Sequence, residues 1–123
     1  MARELAKSTI DKFKVRLEGE RERLSTLIEE ARIELEEARL TEAAAERSPD
    51  PGNAEAGSMK LEYEKELSMQ QNSIDLLRKV EHALKRIESG GYGTCESCGN
   101  QIPVARIDAL PYATLCVECA RRV

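Results

Sequence analysis

The sequence predicts a mainly α protein, a long antiparallel coiled-coil hairpin with a small C-terminal four-cysteine zinc finger. Three observations predict this fold. Ala, Glu, Leu, Lys and Arg dominate the first two thirds of the chain, a composition typical of long helices or coiled coils. A cluster of prolines and a glycine interrupts this region at 49–52. All four cysteines follow, in two closely spaced pairs. We therefore predict a hairpin domain over 1–89 and a zinc-finger module over 90–123.

The composition excludes several classes of protein. Aromatic residues make up only 3% of the chain and charged residues 34%, which disfavours a compact globular core. The formal net charge of -4 disfavours binding to nucleic acid driven by phosphate neutralisation, and favours contact with a basic protein surface. No apolar run has the length of a signal peptide core or approaches the roughly 18 residues of a membrane span. We expect a cytoplasmic protein without membrane contact.

The first helix is predicted from about residue 9 to 46. Ser8 or Thr9 is suited to cap its N-terminus, and Asp11 is favourable in its first turn. Apolar residues then repeat every seven positions, which is one stripe of a coiled-coil seam. This stripe consists of Ile10, Leu17, Leu24, Ala31 and Ala38.

A turn at 47–54 must end this helix, because its two prolines remove backbone donors and clash with a preceding helical turn. The second helix is predicted from about 55 to 89, where Gly90-Gly91 stops it. Its expected seam residues are Tyr63, Gln70, Leu77 and Leu84, with Leu67 and Ile74 between them. Two helices joined by a short turn fold back antiparallel, and each buries the apolar face of the other. We expect a monomer.

The cysteines stand as Cys95-Glu-Ser-Cys98 and Cys116-Val-Glu-Cys119, separated by 17 residues. This is the spacing of a four-thiolate zinc site. Two residues between cysteines let a tight turn point both sulfurs at one ion, and two such turns complete a closed tetrahedral site. Gly99 suits a turn that needs a positive φ. We predict one structural Zn²⁺ held by all four cysteines, in preference to two disulfides or a thioredoxin-like redox pair.

The turn region is acidic. Glu42, Glu46, Asp50 and Glu55 lie between residues 41 and 58, with a single arginine. One interpretation is a solvated turn. The other is an acidic probe that reaches a metal ion or basic residues within a partner's channel. Sequence physics alone leaves both open and favours the first.

Three stretches resemble a known family. They are Gly91-Tyr-Gly-Thr-Cys-Glu-Ser-Cys-Gly99, Pro103-Val-Ala-Arg-Ile-Asp-Ala-Leu-Pro111 and Leu115-Cys-Val-Glu-Cys119. Together they resemble the DksA/TraR family of bacterial regulators that bind RNA polymerase. With the turn and the second helix, the resemblance covers roughly residues 49–119.

The resemblance implies that a coiled-coil tip inserts into the secondary channel of the polymerase and modulates initiation, without sequence-specific DNA binding. The tip residues by this resemblance are Asp50, Asn53, Glu55 and Ala56. The family pattern is Asp-x-x-Asp-x-Ala, so Asn53 replaces an acid and Glu55 replaces the alanine. These departures put tip-dependent inhibition of initiation in doubt.

The family often acts with the alarmone ppGpp in the stringent response. Candidate contacts to polymerase or ppGpp are Lys79, Arg106, Arg121 and Arg122. Leu110 and Ala120 stand where the family has an arginine and a lysine. We therefore expect weak or absent ppGpp synergy.

The sequence also bears on two other classes of function. A coiled-coil and zinc-finger adaptor for a different protein partner remains the alternative. An enzyme is not expected, because the lone His82 has no evident pocket and a four-thiolate zinc has no open position.

Overall fold

The computed structural model describes residues 5–46 and 54–123. It contains two long helices, α1 (Lys7–Glu46) and α2 (Ala54–Ser89), and two short ones, α3 (Val104–Ala109) and α4 (Val117–Arg121). The two long helices pack against each other as a hairpin, and the four cysteines cluster in the C-terminal part. The predicted mainly α fold is confirmed. The helix α1 begins two residues, and α2 one residue, before the position expected from the sequence.

Packing divides the chain into two compact units. The first unit comprises Met1–Arg23 and Leu77–Val123, and the second comprises Leu24–Leu76. Each long helix therefore contributes one segment to each unit. The predicted domain boundary at residue 90 stays a prediction, since the units that packing defines have other limits.

The core of the first unit joins segments that are distant in sequence. From α1 it takes Phe13 and Leu17, which are 6% and 1% exposed. The Phe13 ring lies 6.1 Å from the ring of Tyr92, which follows α2 directly. Besides Cys95 and Cys119, the remaining buried apolar residues described in this unit are Val80, Ala83, Leu84, Ile102, Ile107 and Ala113. Each large side chain buried here contributes roughly 1.5–3 kcal/mol, so this core holds the finger to the helix ends.

In the second unit, one predicted seam residue is wrong. Leu24 and Leu35 of α1 are buried, but Leu67 of α2 is 46% exposed. The predicted seam residue Gln70 lines a groove between the helices, and Glu66 and Ser73, which were not predicted to face α1, line it as well. Burial of Val80 and Leu84 sets the rotation of α2, and positions 66 and 73 then face inward although they are polar. The predicted seam residue Ile74 is half-buried like Ser73, so among the predicted α2 seam residues Leu67 is the one that the structure exposes.

None of the helices in the described ranges combines the length and apolarity that crossing a bilayer requires.

Candidate zinc centre

The first cysteine pair lies on a tight turn that backbone hydrogen bonds close. Thr94 pairs with Gln101 in an antiparallel bridge. Inside it, the Cys95 N–H donates to the Asn100 carbonyl at 2.8 Å, and the Gly99 N–H donates to the Cys95 carbonyl at 3.0 Å. Gly99 has φ 77°, a conformation that favours glycine, as the sequence predicted. This turn directs the sulfurs of the first pair toward one point.

The second pair lies at the start of α4. Cys116 precedes the helix, and the Ala120 N–H donates to the Cys116 carbonyl at 2.9 Å. One helical turn therefore separates Cys116 from Cys119. The two cysteine pairs are linked by the backbone, because the Glu96 N–H donates to the Thr114 carbonyl at 2.9 Å.

The four sulfurs fit one tetrahedral ion. The Sγ atoms of all four cysteines lie within 4.8 Å of one another. The Sγ atoms of Cys98 and Cys116 are 3.8 Å apart. A Zn–S bond of about 2.3 Å gives a tetrahedral S–S edge of about 3.8 Å, whereas a disulfide requires about 2.05 Å. All four cysteines are free, so the structure favours zinc over the disulfide alternative.

The electrostatics of the cluster favour a bound cation. Burial alone raises the pKa of Cys95, but backbone hydrogen bonds from Cys116, Cys98 and Ser97 outweigh it and lower this pKa to about 6. The hydrogen bond with the neighbouring Cys116 thiol is the largest cause that raises the pKa of Cys119 to about 12, while a hydrogen bond with the Ser97 side chain acts in the opposite direction. The cluster thus stabilises the thiolate form of Cys95 but disfavours the thiolate form of Cys119. A divalent cation removes this opposition, because it favours the charged form of every ligand.

A polar network anchors the first cysteine turn to α2. His82 Nε2 lies 2.6 Å from Glu96 Oε1, and Glu96 stands between two of the cysteines. The Arg86 guanidinium donates from one nitrogen to the carbonyls of Gly91 and Thr94, each at 2.9 Å. From the sequence, His82 is considered only as a catalytic residue without an evident pocket, and Arg86 is not singled out. No motif marks these contacts, which only the packing of α2 on the finger creates.

Two of the candidate polymerase contacts meet in a cleft of the first unit. Lys79 and Arg106 line a cleft of about 400 Å³, together with Arg78, His82, Tyr112 and Ala120 among others. The Lys79 ammonium lies 5.9 Å from the centre of the Tyr112 ring. Arg106 Nε donates to the Leu115 carbonyl at 2.9 Å, so part of this guanidinium holds the finger's own backbone.

The other candidate residues lie elsewhere. Arg121 is paired with Glu118 at 3.6 Å on α4, and Arg122 is exposed just after that helix. Of the tip residues, Asp50 and Asn53 lie outside the described residues. Glu55 and Ala56 are described only as part of the α2 backbone.

Comparison with known proteins identifies the family. Residues 90–123 match the prokaryotic dksA/traR C4-type zinc finger. The solved structure of the transcription factor DksA2 from Pseudomonas aeruginosa is 30% identical, with a TM-score of 0.74, over 94% of this chain and 83% of that one. The chain belongs to the DksA/TraR family. As in a C4-type finger, its clustered cysteines hold one structural zinc ion.

Other relatives of this DksA/TraR chain are consistent with that assignment. The RNA polymerase-binding transcription factor DksA of Escherichia coli K12 is 37% identical over 71 residues, which are 58% of this chain and 46% of that protein. An uncharacterised Aquifex aeolicus protein is 36% identical over 72% of this chain and 62% of its own length. The matches therefore span about half to three fifths of these relatives. A Chlamydia trachomatis regulator structure, 24% identical with a TM-score of 0.58, supports the fold alone.

Proposed function

We propose that this chain is a bacterial transcription regulator that binds RNA polymerase directly. The observation that carries the proposal is the likeness to DksA2 across 83% of that chain, which includes both long helices and the finger. The named relatives in Escherichia coli and Salmonella are RNA polymerase-binding transcription factors. We assign the chain the same partner, in the cytoplasm and as a monomer.

In this proposal the hairpin and the finger have different roles. The hairpin, 1–89, carries its tip residues Asp50, Asn53, Glu55 and Ala56 into the secondary channel and modulates initiation. The finger, 90–123, is the base that holds the helix ends together. It carries three basic and three acidic residues, to which four thiolates on one zinc ion add a net charge of -2. Such a surface does not suit sequence-specific DNA binding, which uses a basic face.

The response to ppGpp is proposed to be weak. Lys79 and Arg106 supply positive charge to the cleft of the first unit, but Ala120 lines the same cleft. By the family resemblance a lysine is expected at this position. An alanine offers neither charge nor a hydrogen bond to a phosphate group.

Enzymatic activity is not proposed. Four cysteine ligands close the coordination shell of zinc, and catalysis by zinc needs a position open to water or substrate. The His82 imidazole contacts the carboxylate of Glu96, which lies within the first cysteine turn. The residues at the zinc centre therefore serve stability, and the proposed activity depends on the hairpin.

Transcription in vitro on a stable-RNA promoter, with and without ppGpp, tests the proposal. The purified chain is expected to change transcript yield, and ppGpp to alter that change by less than about twofold. Asp50→Asn is expected to blunt the effect while polymerase binding stays nearly intact. A parallel pull-down from lysate identifies the proteins that the chain captures. If no polymerase subunits are captured, the proposal is overturned and the adaptor alternative is favoured.

A further inference from the structure

A groove runs between the two helices inside the second unit. Its volume is about 310 Å³. Leu27 and Ala31 of α1 and Met69 of α2 form its apolar part, and Leu27 and Met69 are 39% and 60% exposed. This volume lies at the lower limit of pockets that hold small molecules. It suits one or two inserted side chains better than a separate ligand.

The groove exists because the seam is polar at this level. Positions 66, 70 and 73 of α2 face α1, but they are Glu, Gln and Ser rather than large apolar residues. The Ser73 hydroxyl bonds to the Met69 carbonyl within its own helix and fills no space in the seam. The helices therefore leave a gap where a regular coiled coil has interlocked side chains.

Three carboxylates surround the apolar part. They belong to Glu30 and Glu34 of α1 and to Glu66 of α2. Within the described part of the chain, none of the three has a basic side chain in ion-pair range. The acids on the outer side of α1 differ, because Glu29 and Glu36 each pair with an arginine at 2.8 Å. The groove thus concentrates negative charge that no ion pair among the described residues neutralises.

The surrounding surface strengthens this charge. Residues 24–76 contain thirteen acidic and five basic residues, a formal charge of -8. Residues 1–23 and 77–123 contain fourteen basic and ten acidic residues, a formal charge of +4 before zinc is bound. The net charge of -4 for the whole chain conceals this separation.

We infer that this groove is a protein-docking site that receives a lysine or arginine side chain of RNA polymerase. The inference rests on the proposed function, and it adds a contact at the flank of the hairpin to the proposed contact at its tip. A long basic side chain matches the groove in two ways. Its methylene stem covers Leu27 and Met69, and its cationic head reaches the carboxylates at the rim.

The test compares polymerase affinity of variants of the full-length, zinc-loaded chain. Glu34→Gln/Glu66→Gln removes one groove carboxylate from each helix and keeps side-chain size. Glu37→Gln/Glu64→Gln is the matched control, because it makes the same change in net charge at exposed positions of the same two helices outside the groove lining and leaves the Glu36–Arg39 pair intact. Binding to core RNA polymerase is measured at one fixed, near-physiological salt concentration. The groove variant is expected to bind about tenfold more weakly, and the control to change less than about twofold.

A third variant separates docking from long-range attraction. Met69→Ala removes apolar surface without changing charge, and it is expected to weaken binding about threefold. Circular dichroism melting checks that each variant folds as the wild type does. Equal losses in the groove variant and the control would overturn the inference while the proposed function stands, as would an unchanged affinity of Met69→Ala. Wild-type protein that does not bind polymerase would overturn the proposed function, and this inference with it.

Discussion

The Tyr92 hydroxyl donates a 2.7 Å hydrogen bond to the carbonyl oxygen of Pro111. This bond joins the chain that leaves α2 to the loop that follows α3. Tyr92 is 6% exposed, and its ring packs near Phe13. Burial raises the pKa of Tyr92 to about 12, while the nearby positive charge of Arg16 acts in the opposite direction.

Tyr92→Phe is expected to lower the free energy of unfolding by about 1 kcal/mol at pH 7, because the Pro111 carbonyl loses its partner. The raised pKa also makes stability depend on pH. Below about pH 10 the hydroxyl is protonated in both the folded and the unfolded chain. Between about pH 10 and 12 only the unfolded chain releases the proton, so the wild type loses up to about 2 kcal/mol as pH rises. Urea melts across this range are expected to show a smaller loss for Tyr92→Phe than for the wild type.

Cys98→Ser tests the zinc assignment. The serine hydroxyl is a poor zinc ligand, and the clustered thiols then lose the cation that holds them together. We expect loss of the single zinc ion by metal analysis and a melting temperature lower by more than about 10 °C. Glu118→Gln, between Cys116 and Cys119 but exposed, is the control that keeps its zinc. Full zinc content in Cys98→Ser would contradict the four-ligand assignment.

Two glycine substitutions are expected to have opposite effects. Gly93 has φ 90°, and an added Cβ would lie 2.9 Å from Leu5 Cδ1. Gly93→Ala should destabilise the first unit by about 1–2 kcal/mol, because an alanine is strained at this positive φ, whereas the flexible Leu5 side chain can move away from the added Cβ. Gly19 lies within α1 with nothing within 4 Å of an added Cβ. Gly19→Ala should therefore stabilise the chain by about 1 kcal/mol. Thermal melts of both variants check the sign of each change. Destabilisation by Gly19→Ala would contradict the open space that the structure shows around an added Cβ at residue 19.

Substitutions of Leu17 and Val15 test which face of α1 packs into the core of the first unit. Leu17 is 1% exposed in the core of the first unit, whereas Val15, two residues earlier, is 69% exposed. Leu17→Ala is expected to cost about 2–5 kcal/mol, through lost burial and the cavity left behind. Val15→Ala should change stability by less than about 0.5 kcal/mol. Denaturant melts give both values, and similar costs would mean that α1 packs in another rotation.

The sequence was sufficient to predict the two long helices and the metal site, because both depend on local patterns; the short helices α3 and α4 were not predicted. Proline and glycine positions mark the ends of α1 and α2, and the spacing of the cysteines specifies a four-sulfur cluster. The rotation of α2 was not predictable from these patterns. Leu67 was expected in the seam, whereas the burial of Val80 marks a stripe of positions seven apart, 66, 73 and 80, that faces α1 instead. The groove follows from that difference.

The contacts that anchor the finger were also beyond the sequence patterns. His82 and Glu96 are 14 residues apart, and Arg16 donates to Asp108 across 92 residues. Neither pair has a motif, because each depends on how α1, α2 and the finger pack in three dimensions. The charge difference between the two units follows from counting residues. It can be calculated only once packing has defined which residues belong to each unit.

The long separation between Arg16 and Asp108 has a consequence for biosynthesis. A ribosome adds about 5–20 residues per second, so Arg16 emerges roughly 5–18 s before Asp108. During that interval Phe13 and Leu17 have none of their finger partners and stay open to chaperones and to other nascent chains. The helices of the second unit meet earlier, because their partners are closer in sequence. A chain that has not yet bound zinc is therefore expected to leave Phe13 and Leu17 more open to proteolysis than the zinc-loaded protein does.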